Sequence, residues 1–166
     1  SGLIQLTATF TRPADTTVYT PNDLLGINTS QNTGNAIAIS SAVFVNGEAL
    51  RIERIRFQKS TTGVTNASFR IHIWRDQPTF TSLGDNGAQG ALTALVVDSI
   101  QYHVDYVDIT MDRGSNTAAA YGVGVPSTGA GCLVRPATGT TFYLSVQALA
   151  AYTPGNAEVF TFFIEA

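Results

Sequence analysis

Few side chains in this sequence are of types that make or break bonds, and they stand far apart. His72 and His103 each sit inside an alternating run. A histidine can ligate a metal or act as a general base. A strand histidine on a polar face needs neither role, and no further His, Cys or Asp stands at ligand spacing from either one. Cys132 is either a nucleophile served by a distant histidine or a small packed thiol between Gly131 and Leu133. Gly84-Asp85-Asn86-Gly87 has the composition of a calcium loop but lacks the acidic spacing and closing glutamate, so it reads as a turn. No Gly-rich phosphate loop opens a helix, and no serine sits in a nucleophile elbow. A carboxylate pair for glycoside hydrolysis depends on a separation that only the fold sets. The chain is therefore expected to be no enzyme and to hold no metal or cofactor.

Binding chemistry is better represented. Arg51, Arg54, Arg56, Arg70 and Arg75 fall within one short stretch. Like charges on neighbouring strands repel unless carboxylates intervene. Glu53, Asp76, Asp105 and Asp108 could supply them from the same chain, or a partner could. Trp74 takes the outward phase of its run beside Arg70 and His72. An outward tryptophan stacks on a sugar or anchors a protein interface; the alternative is that it lies under the connection 76–91. Arg51, Arg54, Arg56, Arg70 and Trp74 are the candidate protein-interface residues.

These residues are positioned by the stretch from Leu50 to Arg75. In its second run Phe69, Ile71 and Ile73 alternate with Ser68, Arg70, His72 and Trp74, the period of a strand with one buried face. In its first run Leu50 and Ile52 share one phase, and Ile55 and Phe57 the other. Such a change predicts a β-bulge near Glu53 and Arg54. Lys59 to Asn66 is polar with a glycine and predicts a hairpin loop joining the two runs.

Elsewhere Leu3 to Phe10 alternates and reads either as a first strand or, over residues 1–12, as an arm that pairs with another subunit. Thr17 to Thr20 is β-prone. Ala36 to Val45 is nearly continuous in apolar residues, a strand covered on both faces, and Asn46-Gly47 is a tight turn. Residues 76–91 form a long connection of the kind that is often functional. Leu92 to Asp98 fits a short helix or a strand. Ile100 to Thr110 alternates with a phase shift before Val107. Thr117 to Val125 is small and Gly-punctuated, a strand approached closely by another backbone. Cys132 to Val134, Thr140 to Leu149 and Ala157 to Glu165 complete the β pattern. No long amphipathic helix and no repeat shows. The expected fold is an all-β, two-sheet antiparallel sandwich, jelly-roll-like, with about eight to ten strands in a single domain over 1–166.

The totals agree. At 166 residues one domain is expected, large enough to bury roughly 68–70% of its unfolded surface. Charged residues are only 13%, against about a quarter in typical domains. The surface is instead Thr, Ser, Asn, Gln and Gly, which suits a chain packed among others. A net charge of −3 offers no general attraction for nucleic acid. Eight of the nine basic residues are Arg, which favours ordered, forked contacts. One cysteine excludes an intrachain disulfide and suits a reducing compartment during folding. No run approaches the roughly 20 apolar residues of a membrane helix, and no secretory leader is expected.

The residues Thr65-Asn66-Ala67-Ser68-Phe69-Arg70-Ile71-His72-Ile73-Trp74, Gln77-Pro78-Thr79 and Gly84-Asp85-Asn86-Gly87-Ala88, with the opening Ile4-Gln5-Leu6-Thr7-Ala8-Thr9-Phe10-Thr11-Arg12-Pro13, carry a further signal. Over the first half of the chain they resemble a family of small tailed-phage structural proteins encoded among capsid genes. The resemblance implies a cement or decoration protein on the virion capsid surface, made in the bacterial host cytoplasm. It implies a trimer of β-sandwich subunits that bridges the major capsid protein; from the charge and the lack of a long apolar run, neither nucleic acid nor membrane is expected as a partner. The alternative from a different class is a carbohydrate-binding jelly-roll module of a phage fibre or lectin-like protein, with Trp74, Tyr102, Tyr106 and Tyr143 as stacking faces.

Overall fold

The computed structural model describes residues 4–29, 35–40, 42–43, 45–80, 84–87, 97–115, 119–129 and 131–166. Its strands in chain order are β1 (Gln5–Thr11), β2 (Leu24–Leu25), β3 (Ile37–Ile39), β4 (Leu50–Ile52), β5 (Arg54–Lys59), β6 (Ser68–Trp74), β7 (His103–Thr110), β8 (Arg113–Ser115), β9 (Ala119–Gly124), β10 (Cys132–Val134), β11 (Phe142–Ala148) and β12 (Val159–Glu165). A short 3-10 segment, Val97–Tyr102, leads into β7. The strands outnumber the eight to ten expected because short pieces such as β4, β8 and β10 are too brief to show a period.

Two five-stranded sheets run β1-β12-β5-β9-β8 and β2-β11-β6-β7, the second with β3 also on β11, and β10 and β4 form a separate two-stranded ribbon. β2 and β3 pair with successive parts of the same edge of β11, so together they form one strand interrupted by residues 26–36. Counted that way, the principal strands lie as first, eighth, third and sixth in one layer, and second, seventh, fourth and fifth in the other. This is the order of an antiparallel jelly roll, two nested Greek keys. The fold expected from the sequence is the fold observed.

The core forms where the two inner faces meet. Phe10, Ile55, Phe57, Phe160, Phe162 and Ile164 line one layer; Phe69, Ile71, Ile73, Val107, Ile109, Leu144 and Val146 line the other. Phe57 stacks on Phe160 and Phe162 at 5.2 and 4.9 Å between centroids. It meets Phe69 of the opposite layer edge-on at 5.6 Å, a favoured aromatic geometry.

Several expectations are corrected. The runs 50–58 and 68–75 are not a hairpin: β5 and β6 lie in different sheets, and residues 60–67 arch between layers. Both runs carry apolar residues that must face one another across the core, which a flat hairpin cannot arrange. The phase change at Glu53 is not a bulge within one strand. The chain leaves β4, which pairs with β10, and starts β5, which pairs with β12 and β9. Within Ala36 to Val45 only Ile37–Ile39 is a strand among the described residues; residues 41 and 44 lie outside the described residues, as do 81–83 and 88–96 from the connection and from the ambiguous run after it. Thr17 to Thr20 is not a strand. The phase shift expected before Val107 lies earlier, at Val104: the register shifts between the Ile73–Asp105 and Trp74–His103 pairs, and from Asp105 on the pairing is regular.

The close approach expected for the Gly-punctuated run is present. A Cβ on Gly122 would lie 2.4 Å from the Thr110 carbonyl oxygen, and one on Gly124 2.5 Å from that of Asp108. β9 therefore closes one side of the sandwich against β7. Gly122→Ala or Gly124→Ala should cost about 1–3 kcal/mol through overpacking, read as a lower urea midpoint. An unchanged midpoint for both would contradict this packing.

Candidate functional site

The arginines predicted to crowd together are divided between the two outer faces. Arg54 and Arg56 project from β5 on one sheet, and both meet Glu165, Arg56 at 3.1 Å. Arg51 on β4 pairs with Glu53 at 3.1 Å. Arg70 projects from β6 on the other sheet. There it forms a two-pronged pair with Asp108 at 2.7 and 2.9 Å and covers the Tyr106 ring at 4.1 Å. Arg75 donates to the Arg135 carbonyl. Glu53 and Asp108 act as carboxylate partners as expected. Glu165 was not foreseen, because cross-strand neighbours more than a hundred residues apart leave no local trace.

Trp74 is not an outward anchor. It is fully buried, edge-on to Phe80 at 6.4 Å, in a small second core with Leu24 and Ala36, against which Tyr143 packs. Its indole N–H donates to the Ser145 hydroxyl at 2.9 Å. The connection that begins at Asp76 supplies Phe80 and so covers the outer phase of β6. Trp74 is thereby lost as a sugar-stacking face, and Tyr106 lies under Arg70.

The same cover brings the two histidines together, which their spacing did not reveal. His72 Nδ1 and His103 Nε2 stand 3.0 Å apart, and His72 Nε2 is 2.8 Å from Gln147 Oε1. Gln147 in turn donates to Asn22 Oδ1 at 2.8 Å. One neutral arrangement satisfies the chain: His72 Nε2–H donates to Gln147, and His103 Nε2–H donates to the bare His72 Nδ1. Burial pushes His72 down to about 4, with the neighbouring His103 adding to the effect, and burial also lowers His103.

Three other buried polar clusters are equally self-contained. Arg12 donates to the Tyr19 hydroxyl at 2.9 Å and pairs with Asp15 at 2.8 Å and Asp85 at 3.6 Å. Asp85 also accepts from Tyr19 and from the Gly26 N–H. The would-be calcium loop thus turns its carboxylate inward; burial raises the Asp85 carboxyl. Lys59 and Glu158 form a buried pair at 3.2 Å, with Thr61 and Tyr152 completing it. Asp105 accepts from Ser127 and Thr128. Cys132 is a packed thiol, pushed up to about 11 by burial and by Asp105. In each cluster the polar groups are engaged with one another, which ties loops to the strands beside them. Among the described residues no three His, Cys, Asp or Glu side chains converge on a metal position.

Among the described residues a larger groove of about 450 Å³ lies beside Tyr106, Asp108 and Val123, but aromatic and guanidinium groups gather on the outer face of the β1-β12-β5-β9-β8 sheet. A shallow groove of about 290 Å³ there is lined by Gln5, Arg56, Gln58, Tyr121 and Phe163. Register builds it: Phe163 stands opposite Arg56, and Gln58 opposite Tyr121. Two half-buried rings, two amides and a guanidinium can bind but hold no acid–base pair. Tyr, Phe and Arg are the residue types enriched in protein interfaces. Phe163 was legible in principle, since Phe160, Phe162 and Ile164 set the inner phase and leave an aromatic on the polar one. Tyr121 sits in a small, glycine-punctuated run, Ala119–Gly124, whose alternation gives no sign of which face it takes.

The histidine pair makes stability depend on pH. Its folded-state values lie below the unfolded value of about 6.5, so the unfolded chain binds more protons between them. Stability is fully present above about pH 6.5 and falls as pH drops toward 4, by on the order of 2–3 kcal/mol. Urea titrations at pH 7 and pH 5 should show this loss, and it should shrink in His72→Gln. A wild-type value unchanged between the two would refute it.

No protein-family model matches the chain, and comparison with curated proteins finds no match.

Proposed function

We propose that the protein is a non-enzymatic virion structural protein, a cement or decoration protein that sits on a tailed-phage capsid and bridges neighbouring major capsid protein subunits. The observation that carries this reading is the outer sheet face. Arg54, Arg56, Tyr121 and Phe163 share it around one shallow groove, on a scaffold whose buried polar groups are engaged internally. The sequence resemblance supports the same reading. So does a surface low in charge and dominated by Arg among its cations, suited to close packing against other proteins. Each copy need contribute only a modest contact. Several contacts on one lattice act together, so avidity exceeds any single affinity.

The groove also favours a second reading, a carbohydrate-binding jelly roll. Ring faces beside two amides match the chemistry of sugar recognition, and about 290 Å³ lies just below the roughly 300–1,000 Å³ of small-molecule sites. On this reading Tyr121 and Phe163 replace Trp74 and Tyr106 as the stacking residues.

The test compares the temperature of genome release from particles with and without the protein. A higher release temperature with the protein is expected, and equal temperatures would remove the cementing role. The double variant Tyr121→Ala, Phe163→Ala should bind particles at least tenfold more weakly, as expected when an aromatic hot spot is truncated. Saturable binding on a glycan array, lost in that variant, without capsid binding, would favour the second reading.

A further inference from the structure

We infer that the edge of β1 is a self-association surface, on which two copies of the chain pair their β1 strands antiparallel about a two-fold axis. The backbone shows which groups are available. The Ile4 N–H donates to the Ala166 carbonyl and the Ala166 N–H to that of Ile4, and the Arg12 N–H donates to the Glu158 carbonyl. Antiparallel alternation then turns the N–H and C=O groups of Leu6, Ala8 and Phe10 toward β12. Those of Gln5, Thr7, Thr9 and Thr11 point away from the sheet, and among the described residues no strand pairs with them.

Among the described residues, the other edges of the two five-stranded sheets are blunted in ways natural sheets use against unwanted pairing. β8 is three residues long. β2 and β3 are split by residues 26–36. The edge of β7 is engaged by the Val107–Pro126 bridge and by the Ser127 N–H on the Tyr106 carbonyl, and β7 carries Asp105 and Asp108. β1 has none of these devices. It is seven residues long, regular, and free of charge and proline.

The core is also incomplete at this edge. The inward residues of the next strand, Phe160, Phe162 and Ile164, are fully buried, whereas Leu6 and Ala8 of β1 are only half-buried and Ile4 is 41% exposed.

The order of residues identifies the occupant as a second copy. β1 reads Gln-Leu-Thr-Ala-Thr-Phe-Thr, nearly the same in polarity from either end about Ala8. A two-fold axis at Ala8 sets Thr7 against Thr9 and Gln5 against Thr11, the residues whose backbone groups point outward. It also sets Leu6 against Phe10 on the inner face. Threonine pairs are favourable across strands, and no like charges meet. The result is a ten-stranded sheet running through both copies. This geometry yields a dimer, in contrast to the trimer that the resemblance implies, and it does not rest on the capsid reading.

Light scattering on the isolated protein after gel filtration tests it. Twice the chain mass of 17.6 kDa is expected, with the Thr7 and Thr9 amides protected from hydrogen exchange. Thr9→Pro removes an outward N–H without touching the β12 ladder and should give single-chain mass. Thr7→Lys with Thr9→Lys sets lysines against each other and should do the same, with both amides exchanging; this variant carries the test if the proline unfolds the strand. A wild-type protein of one-chain or three-chain mass would overturn the inference. So would a dimer that survives both variants. A failure here leaves capsid binding, which is read on particles, to be judged separately.

Discussion

The edge-on contact of Phe57 with Phe69 is the constraint from which the rest of the molecule follows. It joins the two layers at their centre. Around it Phe10, Phe160 and Phe162 stack in one sheet, while Tyr152 and Phe160 meet Phe69 edge-on. With these rings interlocked, the strand phases are set, because sliding β5 or β6 by one residue would carry every inner ring to the solvent side. Everything on the outer faces, including the groove at Tyr121 and Phe163, takes its position from that lock.

Around this apolar centre the buried charges act as clamps on loops. Lys59 and Glu158 tie the arch after β5 to the turn before β12. Arg12 and Asp85 tie the end of β1 to the connection beyond Phe80. Such pairs are not strong sources of stability in themselves, since removing charges from water offsets most of their attraction. Losing one partner is another matter, because the survivor stays buried and uncompensated. The arrangement therefore specifies where loops close more than how tightly the core holds.

Strand phases were legible in the sequence because alternation is a local property. Phe69, Ile71 and Ile73 read as an inner face and are one, and so do Phe160, Phe162 and Ile164. The two-layer jelly roll followed from the number of such runs and the turn chemistry between them. Pairing was not legible. Two adjacent runs joined by Lys59 to Asn66 looked like a hairpin, yet a loop of that length spans two layers as readily as it folds back. The arginines of that stretch were accordingly placed on one surface when they occupy two. Trp74 failed for a related reason: phase tells which way a side chain leaves its strand, and cannot tell that Phe80 will cover it. The histidines met through the pairing of β6 with β7, a relation between positions thirty-one apart that carries no motif.

Cys132 sits in the two-stranded ribbon of β4 and β10, opposite Ile52, and its thiol is both covered and kept protonated. A sulfhydryl reagent meets a reactive thiolate only after that ribbon has come apart. The lone sulfur is thus a native chronometer: the pace of its alkylation under mild conditions records how often this flank of the sandwich breathes, with no foreign label introduced.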